Sequence, residues 1–259
     1  MKFRPCIDIH NGKVKQIVGS SLADQGDFAR ENFVADKDAG FYANFYKKDG
    51  LTGGHIILLN PATSPYYEAS RQQAHLALGQ APGDWQIGGG INPENAEIFL
   101  KAGATHVIVT SYVFKNGQIQ QENLERMTRT VGKEHLVLDL SCRKKGNSYF
   151  IVTDRWQKFT DVSLTTDTLE ELSGYCDEFL VHAVDVEGKA SGPETELVKL
   201  LGAWNGIPVT YAGGIGSFED LRQLRTAGQG HLDVTIGSAL DLFGGSLPYH
   251  DVIKFCGSV

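Results

Sequence analysis

Asp8, in "FRPCIDIH", and Asp139, in "LVLDLSCR", each sit near the end of a short apolar run, and they lie 131 residues apart in a chain of 259. Two carboxylates brought to one site can share acid and base work, provided their surroundings push the two pKa values apart so that one is ionised while the other holds its proton. A lone aspartate at a strand end is as commonly a helix cap or an ion-pair partner, but these two positions look duplicated. Downstream of Asp8, "GGGINPENAEIFLKAGATHVIVTS" runs from Gly88 to Ser111, and downstream of Asp139, "AGGIGSFEDLRQLRTAGQGHLDVTIGS" runs from Ala212 to Ser238. Gly-Gly-Ile recurs at an offset of 124, Glu94/Glu219 and the Ala-Gly pairs at 125, and Thr110-Ser111/Gly237-Ser238 at 127. Near-constant offsets of this kind mark an internal repeat.

A repeat of half the chain must position its aspartates with equivalent elements. Eight short apolar runs bounded by Gly, Pro or polar residues read as strands: Phe3 to Ile9, Gly54 to Leu59, Trp85 to Ile87, His106 to Val109, Leu136 to Leu140, Glu178 to His182, Pro208 to Tyr211 and Leu232 to Ile236. Apolar residues at three- and four-residue spacing predict helices over Tyr67 to Leu78, Pro93 to Ala102, Asn123 to Val131, Thr168 to Tyr175, Thr195 to Trp204 and Phe218 to Ala227. This alternation predicts an α/β chain folded as a single (β/α)8 TIM barrel over 1–259, with half-barrel repeats at about 1–130 and 131–259. Lys13 to Val18 and Ser148 to Thr153 read as β extensions in equivalent βα loops, on the face where barrel active sites lie. His55 opens the second strand and is expected to point to the opposite end, as a structural residue.

The glycines suggest what the site holds. Gly88-Gly89-Gly90 and Gly213-Gly214 end the third and seventh strands, and Thr110-Ser111 and Gly237-Ser238 end the fourth and eighth. Unhindered backbone N–H groups beside a helix N-terminus bind phosphate, and barrels often carry such a site after strands seven and eight. Gly89, Gly90, Thr110 and Ser111 would form one phosphate site, and Gly213, Gly214, Gly237 and Ser238 a second. Two sites on opposite rims imply an elongated ligand with a phosphate at each end and its reacting centre between Asp8 and Asp139. The alternative is that these glycines serve only tight turns.

Composition narrows the class. A net charge of −7, with no basic cluster beyond Arg143-Lys144-Lys145, argues against nonspecific nucleic-acid binding. No apolar stretch reaches the length of a membrane span, and no signal or transit segment is read at the N-terminus, so a cytoplasmic protein is expected. Cys6, Cys142, Cys176 and Cys256 have no Cys-x-x-Cys spacing and read as buried thiols, not as a zinc site or a disulfide framework.

The blocks "CIDIHNGKVKQIVG", "QIGGGIN", "VIVTSYVF", "LDLSCRKKGNSYFIVTDRWQKFT", "VHAVDVEGKASGP", "YAGGIGSFEDL" and "VTIGSALDLFGG" together resemble the phosphoribosylformimino-5-aminoimidazole carboxamide ribotide isomerases of histidine biosynthesis, in the spelling of their eukaryotic-type branch. The resemblance runs through essentially the whole chain. It implies an Amadori rearrangement of a bis-phosphorylated ribotide from aminoaldose to open-chain aminoketose, with no cofactor and no metal, by a small-molecule enzyme expected to be monomeric. It implies Asp8 as the base acting at the sugar C2′ and Asp139 as the acid that opens the furanose. Trp156 corresponds to a tryptophan that stacks on substrate. Around strand six, where the bacterial pattern has Thr and then Asp-Gly, this chain has His182-Ala183-Val184-Asp185-Val186-Glu187-Gly188, so that either Asp185 or Glu187 fills the acidic position and His182 takes a polar role near Asp139 or simply lines the barrel. Arg143 and Lys145, on the loop after strand five, are candidates to cover a phosphate, as are Ser20 and Ser21 in the first loop. Asn92 replaces a bacterial arginine, and Asn60 is the nearest polar side chain where strand two usually carries an acid. The sister enzyme, the cyclase subunit of imidazole glycerol phosphate synthase, shares both aspartates and is the nearest alternative. A non-catalytic barrel that binds a bisphosphate metabolite is the alternative from a different class.

Overall fold

The computed structural model of the chain describes residues 1–17, 30–154 and 156–257. Its elements, in chain order, begin with Cys6–His10 (β1), Lys13–Ile17 (β2), Glu31–Val34 (β3), Ala39–Lys48 (α1), Gly54–Leu58 (β4), Tyr67–Gln80 (α2), Trp85–Gly88 (β5), Ala96–Lys101 (α3) and His106–Val109 (β6). A small hairpin, Phe114–Lys115 (β7) and Gln118–Ile119 (β8), precedes Gln121–Val131 (α4). Then come Leu136–Asp139 (β9), Cys142–Lys145 (β10), Ser148–Thr153 (β11), Lys158–Ser163 (β12), Thr166–Ser173 (α5), Glu178–His182 (β13), Thr195–Ala203 (α6), Val209–Ala212 (β14), Phe218–Ala227 (α7), Leu232–Thr235 (β15) and Tyr249–Gly257 (α8).

Eight of the strands, β1, β4, β5, β6, β9, β13, β14 and β15, pair in parallel in that cyclic order. The sheet closes on itself where Arg4 N donates to Val234 O at 2.8 Å and Val234 N donates to Lys2 O at 2.9 Å, so the architecture is the expected (β/α)8 barrel. The first strand is shorter at its start than the sequence suggests because Pro5 has no N–H for the ladder. Phe3 still bridges Val234, and Pro5 O accepts from His55 N at 3.0 Å. Both β extensions form. The first, β2 with β3, adds antiparallel to β1; the second, β10 to β12, folds into a sheet of its own above β9. Val18, the last residue expected in the first extension, and Ser20 and Ser21 lie outside the described residues.

Alternation along each strand sorts side chains between two cores. On β1, Ile7 and Ile9 face outward into the large apolar layer beneath the helices, while Cys6 and Asp8 face the barrel interior. On β9, Leu136 and Leu138 face out, and Val137 joins Ile108 and Leu180 in a separate inner cluster against Ile57. Below that inner cluster lies a polar base: Arg4 pairs with Asp233 at 2.9 Å and Glu178 at 3.5 Å, and Glu178 accepts from Gln86 Nε2 at 3.0 Å and Thr210 Oγ1 at 2.7 Å. The interior is therefore layered, with polar residues below, apolar ones in the middle and the titratable groups at the C-terminal mouth.

Candidate active site

A cavity of about 410 Å³ opens at that mouth. Asp8 and Asp139 both line it. Their strands, β1 and β9, stand four apart in a ring of eight, so the carboxylates approach from diametrically opposite walls.

Their environments differ sharply. Asp139 ends β9 with an Asx-type turn: its Oδ1 accepts from Ser141 N at 2.9 Å and from Ser141 Oγ at 2.7 Å, while Oδ2 accepts from Thr110 Oγ1 at 3.1 Å. His182, the last residue of the neighbouring β13, places Nδ1 3.5 Å from Asp139 Oδ1 and 3.3 Å from Ser141 Oγ. Burial pushes the Asp139 carboxyl up, but the His182 contact and the Ser141 hydrogen bonds outweigh it and hold the group below the usual carboxylate range. Among the described residues, Asp8 has no comparable set of donors. Burial pushes it up to about 7, with His182 opposing the rise and Glu187 adding to it. His182 is lowered by burial but raised on balance by Asp139, Glu187 and Asp8, and Glu187 is itself raised by burial, His182 opposing. One imidazole thus stands among three carboxyl groups.

The two glycine segments adopt the same backbone. Gly89 and Gly213 have φ of +100° and +118°, and Gly90 and Gly214 have +68° and +78°, values L side chains rarely take. A Cβ on Gly89 would lie 2.1 Å from Leu58 O, and one on Gly214 2.0 Å from Gly192 O. All four line the cavity, with Thr110, Ser111, Gly237 and Ser238 beside them. Glu187, Gly188, His182 and Trp156 line it as well, and the Trp156 ring lies 5.5 Å from that of His182.

Asp185 and Arg143 are placed elsewhere. Arg143 Nε donates to Asp185 Oδ1 at 2.8 Å, Lys144 N donates to Asp185 Oδ2 at 2.9 Å, and the Arg143 guanidinium lies over the Phe159 ring. Asp185 therefore anchors the β10–β12 sheet to the barrel, and of the two acidic candidates after strand six it is Glu187 that reaches the cavity. Asn92 caps the turn into α3 by accepting from Glu94 N and Asn95 N, and Asn60 is held by Asn11 and Ser70.

His55 corrects an expectation. Its ring turns inward, lines the cavity and lies 6.2 Å from His182. The reason is register: His55 is level with Cys6, two residues below Asp8, and both face the interior just beneath the carboxylates. Burial, with His182 adding to the effect, drops His55 to about 3, so it is neutral at physiological pH. Sequence reasoning also passed over Gln16 and Thr153, which enter the cavity from the two extensions, and Ser141, which the Asp-x-Ser spacing could have shown. Among the described residues, no group of three or more His, Cys, Asp and Glu is arranged to hold a metal ion.

A closed (β/α)8 barrel with opposed carboxylates and two glycine turns of matching conformation at its mouth is an arrangement suited to acid–base chemistry on a small molecule. The chain belongs to the histidine biosynthesis protein family, whose model matches residues 2–247. A chloroplastic protein of Medicago truncatula is 56% identical over 98% of this chain and 81% of its own length. Proteins of Yarrowia lipolytica and Saccharomyces cerevisiae are each 43% identical, over 100% and 95% of this chain and 96% and 94% of theirs. All three are named 1-(5-phosphoribosyl)-5-((5-phosphoribosylamino)methylideneamino)imidazole-4-carboxamide isomerase.

Proposed function

We propose that this chain isomerises the bis-phosphorylated ribotide in its relatives' name by an Amadori rearrangement, converting the N-linked ribosyl group into its open-chain ribulosyl form. The observation that carries the reading is the pair of opposed aspartates between two glycine cradles of matching backbone conformation. Each cradle takes one phosphate, which sets the ribose between Asp8 and Asp139. Protonation of the furanose oxygen on the Asp139 side breaks the C1′–O bond, and the anomeric nitrogen supplies the electrons for an imine. The C2′ proton is then acidic enough for Asp8, whose pKa near 7 suits a base working at neutral pH. Trp156 packs on the substrate, and Glu187, whose buried Oε2 has no hydrogen-bond partner among the described residues, accepts from a sugar hydroxyl. The reaction is internally balanced and calls for no external oxidant or reductant.

Residues 1–130 and 131–259 are read as the two half-barrel copies. We take the enzyme to act as a monomer, which sedimentation measures. No described helix is long and apolar enough to cross a membrane, and four buried free cysteines suit a reducing compartment, for which we take the cytosol. A fluorescent fusion that enters plastids would refute that assignment.

The test is turnover of the purified protein on the ribotide without ammonia, followed spectroscopically, beside Asp8→Asn and Asp139→Asn. Loss of several orders of magnitude in both variants is expected. Full activity in either variant overturns the roles given to the pair, and a strict requirement for ammonia would make the chain a cyclase instead.

A further inference from the structure

The acid on the Asp139 side has a specific identity. Asp139 is a poor donor by geometry: three hydrogen bonds already converge on its two oxygens, one from the Ser141 backbone N–H, which can only donate. The same contacts fix the protonation of His182. With the Ser141 hydroxyl hydrogen committed to Asp139, Ser141 Oγ accepts from His182 Nδ1, and Asp139 Oδ1, the other group at that nitrogen, is also an acceptor. Nδ1 therefore carries a hydrogen in either charge state of the ring. The proton that His182 gains and loses is the one on Nε2, the ring nitrogen not engaged with Ser141 and Asp139, on an imidazole that lines the cavity wall.

We propose that His182 is the proton donor that opens the furanose ring, and that Asp139 and Ser141 are positioning residues that hold its tautomer and stabilise its charged form. This rests on the isomerase reading above. In the step, Nε2–H passes its proton to the ring oxygen as the C1′–O bond breaks, leaving a sugar hydroxyl and a neutral imidazole. Asp8 takes the C2′ proton to give the enaminol. The C2′ hydroxyl proton then goes to Nε2 while Asp8 returns its proton to C1′, so the ketone forms and both groups are restored. The charged ring is favoured by Asp139 on β9, Asp8 on β1 and Glu187 after β13, and opposed by burial; His55 on β4, beside it, is neutral.

The experiment uses the full-length enzyme and the ribotide. Wild-type turnover comes first: its absence sinks the isomerase reading and leaves no reaction to assign. Given turnover, His182→Gln should lower kcat about 10²- to 10⁴-fold, the range for loss of a general acid, with KM changed only a few-fold. In His182→Ala, added imidazole should restore part of kcat, and in Asp139→Ala it should not. Nitrogen-15 NMR of the histidine rings should show His182 with Nδ1 protonated throughout and Nε2 titrating, at a lower pKa in Asp139→Asn. A His182→Gln enzyme within threefold of wild-type kcat overturns the proposal, as does the absence of imidazole rescue in a His182→Ala protein whose circular dichroism is native. So does a His182 titration that Asp139→Asn leaves unmoved.

Discussion

Asp8 works under a conflict that can be measured as stability. Its carboxyl is raised to about 7 in the folded protein, against about 3.9 in an unfolded chain. Below pH 3.9 both states hold the proton and the group costs nothing; as pH rises towards 7 the unfolded state ionises first, and stability is progressively lost. Asn does not titrate. Asp8→Asn should therefore abolish turnover and yet melt higher than wild type, with a gain that grows from pH 4 to 7 and then levels at on the order of 4 kcal/mol. Thermal melts of both proteins across that range check this, and a gain that shrinks with rising pH would contradict it. The glycines give a second contrast. Gly90 and Gly214 share a left-handed conformation, but a Cβ at Gly90 meets nothing within 4 Å, whereas at Gly214 it strikes backbone at 2.0 Å. Gly90→Ala should fold with a penalty of about 1–2 kcal/mol and reveal its phosphate role as a raised KM; Gly214→Ala should lose more stability than that. These residues were legible in the sequence because the repeat writes them twice. The inward depth of His55 is not legible, because it depends on register against β1, which no spacing within β4 reveals, and the contacts of His182 are not, because they come from Ser141 and Asp139 on and after a different strand.

At the scale of elements, the β10–β12 sheet reaches the rest of the molecule at several points. These include the Arg143–Asp185 ion pair, the Lys144 N–H on the same carboxylate, a Cys142–Ala183 bridge, the Tyr149 hydroxyl on Glu194 and Asp161 N on Gly117 O, and the sheet carries Trp156 onto His182. Asp185→Ala should leave the barrel's melting temperature within a few degrees while loosening this sheet. Faster amide exchange in β10 and β11 and a kcat/KM about tenfold lower would be the signs. Unchanged exchange would show that the ion pair is not the fastening. Ser148 to Thr153 reads as a β extension, but β12 does not stand out, since "KFTDVS" carries too few apolar residues. Helices α1 and α8 were also passed over. The first, "AGFYANFYKK", is rich in aromatics and begins Ala-Gly, and what holds it is packing of Tyr42 and Tyr46 into the core rather than helix propensity.

Taken whole, the molecule separates stability from chemistry along the barrel axis. The Arg4, Asp233 and Glu178 layer lies at the base, an apolar layer intervenes, and the carboxylates occupy the mouth. Arg4→Met would leave the buried Glu178 carboxylate and the partly buried Asp233 carboxylate without their cation. The expected loss is about 3–5 kcal/mol of stability, with kcat of the remaining folded enzyme near wild type; denaturant unfolding and active-site-normalised turnover test the two halves of that statement. The closed barrel is readable from eight apolar runs alternating with amphipathic stretches and from the internal repeat. The atoms that close it are not, because the Pro5 interruption hides where the first strand meets the last.

That seam has a consequence for synthesis. Arg4 and Asp233, joined side chain to side chain, are 229 residues apart in the chain. At a translation rate of roughly 5–20 residues per second, the first strand leaves the ribosome on the order of ten to fifty seconds before its partner exists. Until β15 emerges, the nascent sheet has two open edges, one of them formed by the strand that carries Asp8 or by its hairpin. The catalytic cavity, walled from both sides of the seam, cannot be complete before β15 has been made and has paired with the strand made first.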